Sequence, residues 1–356
     1  MAARKKAAKE DVVAATEVLD PHALEAEDRL DRALRPTSLD EYVGQRVHVD
    51  NLKVFVQAAR GRGEPLDHVL LSGPPGLGKT TLAHILAHEM GVNLHTTSGP
   101  AIEHKGTLAA LVTRLSPNDV LFIDEIHRLN AVVEENLYPA MEDFKIDVVT
   151  GEGAYAQSLT LPVQPFTVVG ATTRTGLLTS PLLSRFGHVI RLDFYGIEEL
   201  AAIVRRSAGL LSIDVDEPGA IAIAERARGT PRIANRLLRN VRDFAQVLGR
   251  GVVDRAIAVS TCERLGIDGL GLDPMDRKLL RTIVDVYDGG PVGVEALAAT
   301  LAEPRDTLED VYEPFLLQRG LLSRTPRGRM ITRKGYEHLG MEPPRRGGGP
   351  IQGSLL

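Results

Sequence analysis

Three short apolar runs, each closed by a turn former or an acidic residue, mark the first half of the chain: HVLLSG at 68–73, VLFIDE at 120–125 and FTVVGATT at 166–173. Runs of this length and composition predict strands buried on both faces, the habit of a parallel sheet. Helical patterns alternate with them. In TTLAHILAHEMG, Leu82, Ile85, Leu86 and Met90 fall on one face and Gly91 supplies a stop signal. Strand and helix in alternation predict an α/β domain.

After about residue 190 the strand-like runs give way to helix-like ones, EELAAIVRRSAGLL, PGAIAIAERARG and TPRIANRLLRNVRDFAQVLG. In the last, Thr230 is the N-cap candidate and Pro231 fits the first helical position. From about residue 271 the texture changes again: three helix-like stretches precede LLSRTPRGRMITRKG, which reads as two short strands around a Pro/Arg/Gly turn. Three helices and a hairpin predict a winged helix. The expected organisation is a mobile tail at 1–24, a large α/β domain at 25–190, a small helical domain at 191–265, a winged helix at 266–340 and a second mobile tail at 341–356.

Composition narrows the function. A length of 356 residues with 43% hydrophobic and 25% charged residues excludes disorder for most of the chain. No run of about eighteen apolar residues occurs, and the basic start MAARKKAAKE leads into DVVAATEVLD rather than an apolar stretch. A cytoplasmic protein without membrane span or signal is expected. The single cysteine, Cys262, supplies too few ligands for a zinc site and fits a core thiol. A formal charge of −5 argues against a uniformly basic coat, so any DNA contact must be local.

The strand at 68–73 runs into Gly73-Pro-Pro-Gly76-Leu-Gly78-Lys79-Thr80-Thr81, a complete G-x-x-x-x-G-K-T before a helix. Glycines there let successive backbone N–H groups wrap phosphates at a helix N-terminus; Lys79 can pair with the β/γ oxygens and Thr80 can place its hydroxyl on Mg²⁺. The next apolar strand ends in Asp124-Glu125, with Asp124 the metal partner and Glu125 the candidate base that polarises the attacking water. Thr172 and Thr173 end a further strand, where a hydroxyl can reach the γ-phosphate. Arg185 in SRFG and Arg232 in GTPR add two arginines at helix ends.

GPPGLGKTT, LFIDEIHR, GATTR, SRFG and GTPRIANR, in this order, resemble the AAA+ ATPases. RPTSLDEYVGQ at 35–45, the hairpin-like DVVTGEGAYAQSLTLPVQPFT and RTPRGRMITRKG near the end resemble, more narrowly, the RuvB family of bacterial Holliday-junction branch-migration motors. The resemblance spans roughly residues 29 to 340. It implies an AAA+ P-loop domain with a parallel sheet, a helical lid and a C-terminal winged helix. It implies a homohexamer with ATP between subunits, acting as a helicase in recombination, repair and the SOS response. By the match, Leu34, Arg35, Tyr42, Val43 and Gln45 surround the adenine and Tyr195 closes that pocket. Thr173 becomes sensor 1, Arg185 the arginine finger entering the neighbouring subunit's site, and Arg232 sensor 2. Glu142, Asp143 and Phe144 match another nucleotide-contacting stretch, a solvated helix end being the alternative. The insertion at about 146–165, with Tyr155, Leu159, Leu161 and Val163 around Gly151 and Gly153, matches the dock for RuvA; on its own pattern it is an edge hairpin. RuvC is the further partner implied.

The most one-sided charge stretch lies between Arg319 and Tyr336, with Arg324, Arg327, Arg329, Arg333 and Lys334 and no acidic residue. The preceding helix carries Asp306, Glu309, Asp310 and Glu313, which would repel a duplex. Arg324 and Arg329 on the wing, with Arg305 at the helix start, are therefore the DNA-contact candidates, and phosphate contacts suit a motor that passes any sequence. The rival readings are a clamp-loader-like switch and an initiator-like nucleotide latch. The winged helix argues against the first, and Glu125 with Arg185 against the second.

Overall fold

The computed structural model describes residues 33–150 and 157–343. It divides into a unit that ends at Arg35 and a second that begins at Pro36. Leu34 and Arg35 belong to the first, and everything below concerns the second. The tail expected at 1–24 and the hairpin tip with Gly151, Gly153 and Tyr155 lie outside the described residues, as does the C-terminal segment from residue 344.

Five parallel strands form the central sheet: β1 (Val69–Ser72), β2 (Leu94–Ser98), β3 (Val120–Asp124), β6 (Thr167–Thr172) and β7 (His188–Arg191), in the order β2-β3-β6-β1-β7. All three strands expected from the sequence are present. Alternation assigns their side chains to two cores: Val69, Leu71, Val120 and Phe122 join one, and Leu70, Leu121 and Ile123 the other. The first core continues into helix Arg46–Arg62, the P-loop helix Lys79–Met90 and the helical segment beyond residue 197. Gly91 ends the P-loop helix in the left-handed region at φ 71°, its N–H bonded to Ala87 and His88 carbonyls.

The strands β4 (Lys145–Thr150) and β5 (Gln157–Pro162) form a separate antiparallel hairpin, with Ile146 opposite Leu161 and Val148 opposite Leu159. Its base is core: Ile146 is buried, and Val148, Leu161 and Val163 pack against the second core. Leu159 is half exposed.

Helices Ile197–Leu210, Glu217–Arg226, Pro231–Leu248 and Arg255–Arg264 make a small bundle, tied by the two-residue parallel pair β8 (Asp214–Val215) and β9 (Val252–Val253). Thr230 occupies the N-cap of the third helix, but its hydroxyl donates backwards to Ala227 O at 3.3 Å instead of capping. Cys262 is fully buried within this core, and burial pushes its thiol up.

The last segment holds helices Pro274–Asp285 and Val294–Leu301, a third helical stretch over 305–318, and the strands β10 (Leu322–Thr325) and β11 (Gly328–Ile331). The third helix widens to a π turn over Leu308–Tyr312 immediately before Glu313-Pro314, where proline has no N–H to give the ladder. The Val292 backbone bridges to Arg329, extending the hairpin. Three helices and a wing form here, followed by the short helix Arg333–His338, with a separate core around Leu279, Leu297 and Phe315.

Candidate functional site

The loop after β1 is shaped by its glycines. Gly73, Gly76 and Gly78 have φ of 139°, 82° and 98°, a region that side chains rarely enter. A Cβ would stand 2.6 Å from Leu192 O at Gly73 and 2.9 Å from Tyr42 Oη at Gly78. The loop thus closes tightly onto the helix whose first residues are Lys79, Thr80 and Thr81. Lys79 Nζ donates to Gly73 O at 2.8 Å and Pro74 O at 2.9 Å. Burial pulls its ammonium down to about 8, opposed by the Asp124 carboxylate and reinforced by Arg232. Those charges and the N-terminal N–H groups of the helix suit a polyphosphate.

Parallel pairing brings the other candidates to the same edge. Asp124 ends β3 and Thr172 ends β6, adjacent to the loop, where Gly73 N–H donates to Thr172 O at 3.2 Å. Asp124 Oδ1 accepts from Glu125 N–H at 2.9 Å. Glu125 sits in the left-handed region at φ 48°, and its carboxylate takes Arg128 Nη1 at 2.9 Å. The two threonines differ in burial. Thr172 is buried, its hydroxyl 2.9 Å from His127 Nδ1 and accepting Arg174 N–H at 3.0 Å. Thr173 is partly exposed.

Tyr42, Val43 and Gln45 come together with Tyr195 beside the loop. Tyr195 Oη donates to Tyr42 Oη at 3.0 Å, and Tyr42 Oη to Leu77 O at 3.4 Å. Burial pushes the Tyr42 phenol up to about 12 and Tyr195 further still, so both remain neutral donors. Gln45 Nε2 donates to Asp193 O at 2.6 Å, and Arg232 N–H to Gly76 O at 3.4 Å.

Arg185 is elsewhere. Its guanidinium lies 4.0 Å over the Tyr138 ring, with Nη2 3.1 Å from Glu142 Oε2 and Nη1 donating to Pro181 O at 2.6 Å. Tyr138 is itself held by Glu134, which also takes the Thr179 hydroxyl. This cluster borders the opposite, N-terminal ends of the strands. Met141 O meets His68 Nε2 at 3.0 Å, at the start of β1, and Phe144 packs against Phe166, which precedes β6. From His68 to Gly73 the strand runs about 16 Å at ~3.3 Å per residue, more than an arginine side chain extends. Arg185, Glu142, Asp143 and Phe144 therefore stand apart from Lys79 of their own chain.

The wing arginines are not free. Arg324 Nε and Arg329 Nε donate to Glu313 at 2.7 and 2.8 Å, and Arg329 Nη2 to Glu309 at 2.6 Å. Arg305 takes Glu295 at 2.8 Å and Glu309 at 3.1 Å. Of the carboxylates expected to repel a duplex, Glu309 and Glu313 are neutralised by arginines expected to hold it, and Asp306 and Asp310 by Arg174. Arg327, at the exposed turn, makes no ion pair among the described residues.

Sequence reading passed over Arg174 and Arg228, each ion-paired to the winged helix. The signal available was the spacing of Asp306, Glu309, Asp310 and Glu313: carboxylates recurring every three or four residues crowd one helix face and call for partners.

A P-loop on a parallel sheet with an acidic strand end beside it, a helical lid and a winged helix define an AAA+ ATPase. Residues 34–192 match the family described as Holliday junction DNA helicase RuvB P-loop domain, 195–268 the RuvB AAA lid domain, and 269–340 the RuvB C-terminal winged helix domain. The Thermotoga maritima RuvB Holliday junction branch migration motor superposes with a TM-score of 0.82 at 53% identity, covering 88% of this chain and 100% of that one. A lysine-to-arginine mutant of that protein matches at 54% identity and TM-score 0.82, covering 87% and 99%. An arginine-to-alanine mutant matches at 53% and 0.81, with the same coverage. The chain belongs to the RuvB family, the AAA+ ATPases of Holliday-junction branch migration.

Proposed function

We propose that this chain is the subunit of a homohexameric ring that hydrolyses ATP to move double-stranded DNA, driving Holliday-junction branch migration in recombination and repair. The observation that carries the reading is the separation of Arg185, whose cluster meets the start of β1, from Lys79, which lies past the end of that strand. An arginine so placed serves a neighbour's nucleotide, and an arginine supplied in trans is worth about 10³–10⁵ in phosphoryl-transfer rate.

The donor set fits ATP and Mg²⁺. Gly76, Gly78 and Thr81 offer the backbone cradle, Lys79 the charge on the β/γ oxygens, and Thr80 with Asp124 two oxygens for the metal. Glu125 polarises water once it leaves Arg128, while Thr173 and Arg232 report on the γ-phosphate. Tyr42, Val43 and Tyr195 enclose the base, and the family resemblance alone assigns Leu34 and Arg35 to it. Glu142, Asp143 and Phe144 join Arg185 on the neighbour's side of the site. Arg305, Arg324 and Arg329 hold DNA phosphates. The hairpin at about 146–165 takes RuvA, an assignment supported by Leu159, an apolar residue that its own core leaves half exposed. RuvC is the further partner in resolution, and the setting is the cytoplasm during the SOS response. Among the described residues no helix is long and apolar enough to cross a membrane.

A junction-dissociation assay with RuvA tests the reading. Separation of a four-way junction that requires ATP and disappears in Lys79→Ala is expected. Steady ATP turnover with no strand separation would favour the clamp-loader-like switch.

A further inference from the structure

The winged helix is fastened to the rest of the chain by two arginines beside the segments assigned to reading the nucleotide. Arg174 directly follows Thr173, and Arg228 precedes Gly229-Thr230-Pro231-Arg232. Arg174 Nε donates to Asp310 Oδ1, and its Nη2 to Asp310 Oδ2 and Asp306 Oδ1, all at 2.8 Å. Arg228 donates to Asp273 at 3.2 Å and Asp276 at 3.0 Å, its guanidinium 4.7 Å over the Phe315 ring.

The two fastenings differ in access to water. The Arg228 and Asp276 side chains are 8% and 0% exposed, so parting them would strand a buried charge. Parting that joint is therefore the costlier of the two. Arg174, Asp306 and Asp310 are 24%, 76% and 29% exposed, where water and salt can replace either partner. That joint can open and reclose.

The acidic face is shared between the two sides of the joint. Glu309 lies 3.9 Å from Arg174 and 2.6 Å from Arg329, and also takes Arg305. Phosphates that draw both Arg305 and Arg329 away leave the Glu309 charge to Arg174. On the other side, Arg174 N–H bonds the Thr172 hydroxyl, which bonds His127, two residues past Glu125. A contiguous set of polar contacts thus runs from the strand ends at the phosphate site to the wing.

We infer that Arg174 is a positioning residue, a reversible latch that ties the nucleotide state at the end of β6 to the grip of the winged helix on DNA. The inference rests on the ATP-driven motor reading above. It requires the latch to close more firmly when DNA occupies the wing arginines, and coupling between two binding sites is reciprocal.

The test uses the full chain carrying Asp306→Asn and Asp310→Asn. Duplex affinity is measured with a slowly hydrolysed ATP analogue and with ADP, alongside ATPase without DNA. In the wild type the two nucleotides should give DNA affinities differing by at least about five-fold. In the double variant the ratio should fall to within about two-fold of one, with DNA-free ATPase and thermal midpoint unchanged, while Asp310→Glu, which keeps the charge, should retain the ratio. A double variant with the wild-type ratio overturns the latch. Loss of DNA-free ATPase together with the ratio also overturns it, since Arg174 would then serve the sensor strand itself. A wild type whose DNA affinity ignores the nucleotide would overturn the motor reading instead.

Discussion

Nε of Arg329 lies 2.8 Å from Oε1 of Glu313, a carboxylate with no exposed surface. Arg324 reaches the same group, so one buried charge in the third helix holds both strands of the wing. Glu313→Ala should strip Arg329 Nε and Arg324 Nε of their acceptor while Glu309 still holds Arg329 Nη2, costing about 1–3 kcal/mol. Denaturant unfolding of the variant measures this. A loss below about 0.5 kcal/mol, the range of ordinary surface changes, would contradict it.

The exposure of the wing arginines orders their use. Arg327 is exposed without a carboxylate partner among the described residues, Arg324 is half exposed, and Arg329 is nearly enclosed by Glu309 and Glu313. Replacing Arg327 and Arg324 by Ala should weaken duplex binding equally for unrelated sequences. The log–log salt dependence should flatten by about one unit per lost phosphate contact. Arg329→Ala should lower stability as well as duplex affinity, because Arg329 also pairs with Glu309 and Glu313. An unchanged salt slope in the double variant would move the DNA contact away from the wing.

Lys79 gives the site a pH dependence of known sign. Burial lowers its ammonium to about 8, whereas phosphate oxygens beside Nζ favour the charged form and raise it again. Below about 8 the lysine is charged in both states and ATP affinity is flat. Above that, binding takes up a proton, and affinity should weaken by up to about tenfold per pH unit until the bound-state value is reached. Calorimetry in buffers of different ionisation enthalpy reads the uptake directly. Flat affinity and no proton uptake at pH ~9 would show that Lys79 is not depressed.

Much of this architecture was legible beforehand because its signals are local. β1, β3 and β6 read from their apolar runs, and the P-loop from glycines whose conformation admits little else. The winged helix read from three helical patterns and a turn. What stayed hidden depends on contacts far apart in sequence. Arg174 finds Asp310, and Arg228 finds Asp276, only because the domains pack. The same packing changed the meaning of the acidic helix, whose carboxylates looked repulsive to DNA when their partners were out of view. Thr172 and Thr173 were indistinguishable in GATTR; strand alternation buries the first against His127 and leaves the second partly exposed.

The separation of Arg185 from Lys79 makes one measurement decisive for the whole account. Lys79→Ala and Arg185→Ala subunits should each be inactive alone, the first for want of phosphate binding and the second for want of the neighbour's charge. Mixed under conditions in which subunits exchange, they should recover ATP turnover, because an intact Arg185 from one chain then faces an intact Lys79 from the next. Recovery that peaks at intermediate mixing ratios is the predicted result. No turnover at any ratio, with exchange demonstrated independently, would mean that Arg185 does not act in trans and would contradict the ring mechanism.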